Sequence, residues 1–233
     1  MRDGVTRGET MIKELKRGAE IGTTFNRALE VYKKNFVPLL LATLLAVVVG
    51  VVSCGICLAP LFCGIFAMAL VALRSSGAKL KAGDVFKGFQ KFLPAFVSCL
   101  VLGLINSFVS SVLMVVPIVG WIALIVVGYA VAPAVIAWAQ LLVVDQDATI
   151  GDAIAVPLKL LGDKRFWSVV LVSLVAGLIG GLGAIACGFG LLVTLPFAYC
   201  MIAAAYEEAY SDAATDAGTP AIEASDIEEP PAS

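Results

Sequence analysis

The stretch that decides the fold is "NFVPLLLATLLAVVVGVVSCGICLAPLFCGIFAMALVAL", residues 35–73, which contains no Asp, Glu, Lys or Arg over 39 positions. Two further stretches lack charge in the same way: residues 92–144, with 53 positions, and residues 166–206, with 41 positions. One membrane-spanning helix takes about 20 apolar residues. Each stretch is therefore long enough for two helices joined by a short uncharged turn. The sequence predicts an all-α integral membrane protein with six transmembrane helices arranged as three hairpins.

The distribution of the basic residues predicts the orientation of these hairpins. All 16 Lys and Arg residues lie within residues 2–34, 74–91 and 159–165. These segments share one side of the membrane if every uncharged stretch crosses it twice. Basic residues in short loops favour the cytoplasm. We therefore expect a multi-pass protein of the bacterial cytoplasmic (inner) membrane with both termini in the cytoplasm.

Each predicted hairpin follows a segment of similar character. These segments are "IGTTFNRALEVYKKNF" from Ile21, "AGDVFKGFQKFLPAF" from Ala82 and "IGDAIAVPLKLLGDKRFW" from Ile150. In the first segment the apolar residues recur at helical spacing, which predicts an amphipathic helix in the headgroup region. The whole pattern predicts three parallel repeats, each made of one cytoplasmic interfacial helix and one transmembrane hairpin.

The repeat predicts the division of the chain. A cytoplasmic N-terminal segment covers residues 1–20, and the three repeats cover residues 21–80, 81–148 and 149–210. Residues 211–233 are rich in Ala, Pro and acidic residues. They have few apolar side chains to bury, which predicts a disordered acidic cytoplasmic tail.

Small residues recur at every fourth position in two predicted helices. The stripes are Ala42, Ala46, Gly50, Cys54 in the first helix, and Ser173, Gly177, Gly181 beside Ala176, Gly180, Ala184, Gly188 in the fifth. Small residues let helix backbones approach closely within a membrane. The stripes predict close packing within the chain, and a homo-oligomer interface is the alternative.

The cysteines of the "CGIC" stretch, Cys54 and Cys57, fall in the first predicted external turn, and Cys187 falls in the third. A redox site, a zinc site and a lipid-attachment site are all disfavoured, because the pattern lacks a βαβ context, four ligands and a short leader. An external disulfide among Cys54, Cys57 and Cys187 is the main alternative to small apolar residues at a tight turn. We favour the turn, and the sequence predicts no metal site and no cofactor.

The sequence contains no histidine, which excludes Ser-His-Asp and Cys-His nucleophilic arrangements. It also contains no Gly-rich phosphate-binding loop, so we do not expect an enzyme. The acid pairs Asp145/Asp147 and Glu207/Glu208 are expected at solvated helix ends. Asn106 and Gln140 are candidates for a polar site within the membrane, although hydrogen bonds between helices are the commoner role of such residues.

Basic residues around the predicted interfacial helices are candidates for contact with lipid headgroups, although positive charge on the cytoplasmic side is usual for bacterial membrane proteins. They are Arg27, Lys33, Lys34, Lys87, Lys91, Lys164 and Arg165. Each adds about 1 kcal/mol of attraction near an anionic surface.

The sequence therefore favours a non-enzymatic membrane scaffold or subunit that organises lipid or a partner protein. The alternative is a transporter or passive pore for an uncharged or amphiphilic small solute. The expected partners are membrane lipids, anionic ones included, with a membrane protein or a second copy of the chain, and no nucleic acid.

Two features of the sequence suggest a known family. One is the start "G-x-x-F" of two repeats, at Gly22 to Phe25 and Gly83 to Phe86, and the other is the closing "LPFAYCMIAAAYEEAY" from Leu195. Over residues 20–210 the sequence resembles a broad group of bacterial six-helix membrane proteins. It is similar to the membrane domain attached to some glycerophosphodiester phosphodiesterases. The resemblance implies a six-helix bundle in a bacterial inner membrane. It carries over no catalytic role, because the histidines and metal-binding acids of that enzyme's soluble barrel have no counterpart here.

Overall fold

The computed structural model describes residues 15–16, 18–75, 80–115, 118–185 and 189–210. Within these ranges every regular element is a helix and none is a strand, which confirms the all-α prediction. In chain order the elements are α1 Ile21–Lys34, α2 Phe36–Val52, α3 Leu58–Arg74, a 3-10 helix Ala82–Lys91, α4 Phe92–Met114, α5 Val119–Val126, a π-helix Val127–Val131, α6 Ala132–Asp145, α7 Ile150–Leu160, α8 Lys164–Ile185 and α9 Phe189–Tyr210. The predicted N-terminal segment lies mostly outside the described residues, and the predicted acidic tail lies wholly outside them.

Four of the described helical stretches are long and apolar enough to cross a membrane: Ala82–Met114, Gly120–Asp145, Lys164–Gly183 and Gly190–Tyr210. The pair α1 and α2 is bent by 89° and gives a fifth span if it is counted as one. Helix α3 is apolar but has only 17 residues. The structure therefore has four or five candidate spans, which agrees with a membrane protein but does not show the six that the sequence predicts.

The outer surface of these helices is apolar. Large hydrophobic side chains are exposed on α2, α4, α5 and α8, including Val52 at 80%, Phe108 at 72% and Leu182 at 62%. Soluble monomers rarely expose a contiguous apolar surface of this kind. This surface is explained if hydrocarbon, rather than water, surrounds the helices.

The three segments predicted as interfacial helices form separate short helices, α1, the 3-10 helix and α7. Their apolar faces meet other helices of the bundle. Helix α1 packs on α9 and buries Thr24, Ala28 and Tyr32, and the Tyr32 hydroxyl donates a hydrogen bond of 2.6 Å to the Val193 carbonyl. The periodicity correctly predicts one buried face for α1, but that face packs against protein.

The 3-10 helix packs on α3 with backbone against backbone. A Cβ atom added at Gly64 would lie 1.9 Å from the carbonyl oxygen of Val85, and one added at Gly88 would lie 1.9 Å from that of Pro60. Real Cβ atoms do not approach backbone oxygen so closely, because steric repulsion rises steeply at such distances. Glycine at both positions is therefore required for this contact.

The small-residue stripes pack as predicted in α2 and only partly in α8. In α2, Ala42 and Ala46 are fully buried and Gly50 lies against Leu58. In α8, Ala176 and Gly180 are buried. Gly180 faces the side chains of Ala198 and Leu195 on α9. The other stripe of α8 buries Ser173 but is exposed at Gly177 and Gly181. Gly188 lies outside the described residues, so the packing of the first stripe is shown at Ala176 and Gly180.

The "CGIC" stretch forms the turn between α2 and α3, as predicted. Cys54 has a φ of +50° and Gly55 a φ of +88°. The amide of Gly55 donates to the carbonyl of Gly50 at 2.7 Å, and the amide of Cys54 donates to that of Val51 at 3.2 Å. This pair of bonds is the Schellman motif, which satisfies the last carbonyls of a helix.

We predict that Gly64→Ala and Gly88→Ala each lower the free energy of unfolding by about 1–3 kcal/mol, because the added methyl group meets backbone that cannot move aside cheaply. Thermal unfolding of the purified protein in detergent, followed by tryptophan fluorescence, measures the change. Gly83→Ala in the same 3-10 helix is the control, since nothing lies within 4 Å of its Cβ position. Equal stability of all three variants would contradict the backbone contact.

Candidate functional site

Three helices end together at one end of the bundle. Arg74, the last residue of α3, forms ion pairs with Asp145 at the end of α6 and with Glu207 near the end of α9. Its Nε donates a further hydrogen bond of 2.6 Å to Glu207 Oε1. We call these three residues the Arg74 clamp. A guanidinium between two carboxylates makes strong, directional hydrogen bonds, so the clamp fixes the three helix ends relative to one another.

The clamp is partly shielded from solvent. The side chain of Asp145 is 8% exposed and that of Glu207 is 19% exposed, whereas Arg74 is 45% exposed. Asp145 and Glu207 thus lie at helix ends, as expected, but they are partly shielded and paired and not fully solvated. Asp147, the other acid of the first pair, is 70% exposed, which agrees with the expectation. Acidic side chains are unfavourable at the negative C-terminal end of a helix dipole. The positive charge of Arg74 offsets this effect at α6 and α9.

An aromatic cluster lies beside the clamp. The cluster consists of Trp138, Phe166, Tyr206 and Tyr210, with the Trp138 ring centroid 5.0 Å from that of Tyr206 and 5.6 Å from that of Phe166. The Tyr206 hydroxyl donates to Asp145 Oδ2 at 3.1 Å and accepts from Gln146 Nε2 at 2.7 Å. These bonds connect the ionic clamp to the buried core.

Glu208 joins α9 to the start of α1. Only 4% of this residue is exposed. Its carboxylate accepts hydrogen bonds from the Thr24 hydroxyl at 2.8 Å, from the Thr23 hydroxyl at 3.1 Å and from the Glu20 amide at 3.3 Å. A carboxylate is favourable at the positive N-terminal end of a helix. Glu208 therefore connects α9 to the first turn of α1, and the expectation of a solvated acid is wrong for Glu208.

The start of the described chain joins the same end of the bundle. The amide of Lys16 donates to the carbonyl of Ala209 at 2.9 Å. Arg165 Nη1 donates to the carbonyls of Leu15 and Lys16 at 3.1 and 3.2 Å. Together with the clamp, these contacts gather charged segments that are far apart in sequence at one end of the molecule.

Several of the predicted lipid-contact residues pair with neighbouring acids or carbonyl groups. Lys34 pairs with Glu30 at 2.6 Å and Lys87 pairs with Asp84 at 2.8 Å. Lys91 pairs with Asp147, and Arg165 binds the two carbonyls described above. The side chains of Lys33 and Lys164 are exposed.

Arg27 and Lys34 line a small recess beside the bend between α1 and α2. The recess has a volume of about 90 Å³, and Asn35 and Leu73 also line it. Glu30, paired with Lys34, also lines the recess. The recess is therefore of mixed charge.

Three apolar cavities lie between the helices of the described residues. The amide cavity, of about 340 Å³, lies between α3, α6 and α9 and is lined by Phe62, Phe66, Pro133, Tyr199, Asn106 and Gln140 among others. The outer cavity, of about 250 Å³, lies beside α4 and the π-helix and is lined by residues including Leu102, Val109, Val127, Leu158 and Asn106. The groove cavity, of about 430 Å³, lies between α3 and α4 and is lined by residues including Phe62, Phe96, Cys99, Gly103 and Ser107.

The two amides singled out in the sequence both line the amide cavity. Gln140 is 2% exposed. Neither Asn106 Oδ1 nor Gln140 Oε1 has a hydrogen-bond partner among the described residues, although both atoms are buried. An unpaired buried carbonyl oxygen costs about 1–3 kcal/mol. The expected hydrogen bonds between helices are therefore not made by these two oxygen atoms.

The cysteines lie as follows. Cys54 and Cys57 are free thiols in the turn after α2. Cys187 falls outside the described residues, so the structure does not place it relative to the other two. In the described ranges no three His, Cys, Asp or Glu side chains come together in a group that could hold a metal ion.

Comparison with models of protein families, with curated proteins and with solved structures gives no match for this chain. The resemblance to the membrane domain of glycerophosphodiester phosphodiesterases therefore stays a prediction from sequence.

We predict that Arg74→Gln lowers the free energy of unfolding by about 1–3 kcal/mol, because it leaves two shielded carboxylates without their cation. Adding Asp145→Asn to this variant restores part of the loss, since one of the uncompensated charges is then removed. Thermal unfolding in detergent measures both effects. Lys91→Gln, which breaks the more exposed pair with Asp147, is the control and changes stability by less than about 1 kcal/mol. If Lys91→Gln lowered the free energy of unfolding as much as Arg74→Gln does, the clamp would stabilise the protein no more than an exposed ion pair, which would contradict the prediction.

Proposed function

We propose that this chain is a non-enzymatic multi-pass membrane protein that holds lipid in grooves between its helices and so organises the lipid, or a partner protein, around it. The observation that carries the proposal is the set of three cavities described above, which open between apolar helices. No Asp, Glu, Lys or Arg lines any of the three. Apolar lining with a few polar groups favours a lipid chain over an ion or a charged substrate.

A six-span arrangement in a bacterial inner membrane, with both termini in the cytoplasm, is part of this proposal. The order of the described helices supports it. Each of the short helices α1, the 3-10 helix and α7 is followed by a pair of longer helices or helical stretches. Helix α3 is 17 residues long, or about 26 Å at the usual rise of about 1.5 Å per residue. A bilayer adapts to a deficit of a few ångströms by local thinning.

The alternative is a passive path for an uncharged or amphiphilic solute. The arrangement of the cavities favours it in one respect, since the amide cavity and the outer cavity share Asn106, Ala132 and Ile136 as lining residues. These side chains also stand between the two spaces, and a path requires them to move aside. Flux of a neutral solute through proteoliposomes above the background of empty vesicles would decide for a path.

We predict that Gly103→Leu and Gly128→Leu reduce the amount of lipid that the protein retains. Gly103 lines the groove cavity and Gly128 lines the amide cavity, and nothing lies within 4 Å of a Cβ atom at either position. A leucine side chain therefore enters the space that we assign to lipid. Native mass spectrometry of protein extracted directly from its membrane counts the lipids that stay bound.

Gly177→Leu is the matched control for this experiment. Gly177 is exposed on α8, it also has nothing within 4 Å of its Cβ position, and it lines none of the three cavities. We expect this variant to retain as much lipid as the unmodified protein. A protein that carries no lipid in any form, or equal retention by all three variants, would contradict lipid binding in the grooves.

We further predict that the reconstituted protein attracts anionic lipid and that Lys33→Gln with Lys164→Gln weakens this attraction. Both lysines are exposed, and each is worth about 1 kcal/mol near an anionic surface. Fluorescence quenching by brominated phosphatidylglycerol, compared with brominated phosphatidylcholine, measures the preference. Lys159→Gln, which also removes an exposed charge, serves as the single-charge control. No preference in the unmodified protein would contradict the predicted headgroup contact.

A further inference from the structure

We propose that the amide cavity binds the polar end of a neutral lipid whose head group is a hydroxyl. The inference rests on the proposed function and names the class of lipid that this part of the protein takes. It is carried by two amides, Asn106 and Gln140, which line one cavity. Their side-chain oxygen atoms are buried and have no partner in the described part of the chain.

The charge of the cavity sets the charge of the ligand. No charged side chain lines the amide cavity, and a phosphate or ammonium group placed there would lose its hydration without gaining a counter-ion. An uncharged head group avoids this cost. The bound lipid is therefore neutral.

The two amides set the hydrogen-bonding character of the head group. Both oxygen atoms are buried, so each amide group must rotate toward the cavity before a ligand can reach its oxygen. Carbonyl oxygen atoms accept hydrogen bonds, so the ligand must bring a donor. A hydroxyl both donates and accepts, and it can therefore bind either the oxygen or the nitrogen end of an amide. A lipid whose polar end carries only ester or ether oxygen atoms has no donor and leaves the two carbonyl oxygens unpaired.

The surroundings of the amides accommodate the rest of such a lipid. The amide cavity has a volume of about 340 Å³, within the range of about 300–1,000 Å³ that is usual for small-ligand sites. It shares Asn106 with the outer cavity and Phe62 with the groove cavity. Hydrocarbon chains can thus leave the amides along two apolar spaces.

The backbone beside the amides is irregular in a way that fits a binding site. The π-helix Val127–Val131 directly precedes α6, in which Pro133 is the second residue. The amide of Ala132 donates to the carbonyl of Val127, five residues earlier. Proline has no amide hydrogen, so it disrupts the regular bonding of the preceding turn. Residues of this segment line both the amide cavity and the outer cavity. Short π-helical segments are frequent at functional sites.

Competition between two lipids that differ only in the donor tests the proposal. The full chain is placed in nanodiscs of phosphatidylcholine with equal amounts of dioleoylglycerol and of its methyl ether, and native mass spectrometry measures the ratio bound. We expect the unmodified protein to favour the alcohol by about 3- to 10-fold, the usual effect of one hydrogen bond. Gln140→Met and Asn106→Leu replace each amide by an apolar side chain of similar size, so we expect the variants to fold. Because the hydrogen-bonding groups are gone, the ratio of bound alcohol to bound methyl ether falls toward one.

Ser173→Ala is the matched control. Ser173 is buried and its Oγ also lacks a partner among the described residues, but it lines none of the three cavities. We expect this variant to keep the preference for the alcohol. Loss of the preference in Ser173→Ala as well would overturn the assignment to the amide cavity.

Two other outcomes separate this inference from the proposed function. If the unmodified protein binds both lipids equally, the hydroxyl-binding site is wrong, whereas lipid binding in the grooves stands. If it binds neither lipid and also retains no lipid from its own membrane, both proposals fail.

Discussion

The arrangement of the bundle depends most on the Arg74 guanidinium and its ion pairs. The guanidinium lies where α3, α6 and α9 end, and it neutralises Asp145 and Glu207, each of which would otherwise stand uncompensated at the negative end of a helix dipole. Tyr206 extends the contact from Asp145 into the aromatic cluster. Because a guanidinium that donates to two carboxylates constrains direction as well as distance, the clamp fixes the ends of α3, α6 and α9 relative to one another.

Close backbone contact supplies the second constraint. Where Gly64 and Gly88 meet, the 3-10 helix approaches α3 more closely than any residue with a Cβ atom would permit. In hydrocarbon there is little hydrophobic gain from joining two apolar helices, so dispersion contacts between closely packed backbones become the main source of cohesion. The clamp holds the end of α3 beside α6 and α9, and the glycine contact holds α3 against the 3-10 helix. Helices α3, α6 and α9 provide walls of the amide cavity.

The amide cavity is lined by two of the few polar side chains of the apolar interior, Asn106 and Gln140. A bundle of this kind gains nothing in stability from unpaired amide oxygens, which cost free energy wherever water is absent. Asn106 and Gln140 nevertheless occupy such positions, next to a helical segment whose regular hydrogen bonding is interrupted before Pro133. Local departures from the most stable choice are typical of functional sites. This is the physical reason for placing the proposed lipid site at the amide cavity and not at the well-paired charges of the clamp.

The helical class, the apolar stretches and the turn at Cys54 to Cys57 follow from local sequence, and so does the choice of the two amides as candidates. The reason is that length, charge and local backbone preference act over a few neighbouring residues. Which side chains meet depends on the tertiary structure. It turned Asp145 and Glu208 from expected solvated acids into shielded partners, directed the apolar face of α1 onto α9, and brought Asn106 and Gln140 to one cavity. These contacts join residues 34 to 184 positions apart in the chain, and no local pattern encodes such pairings.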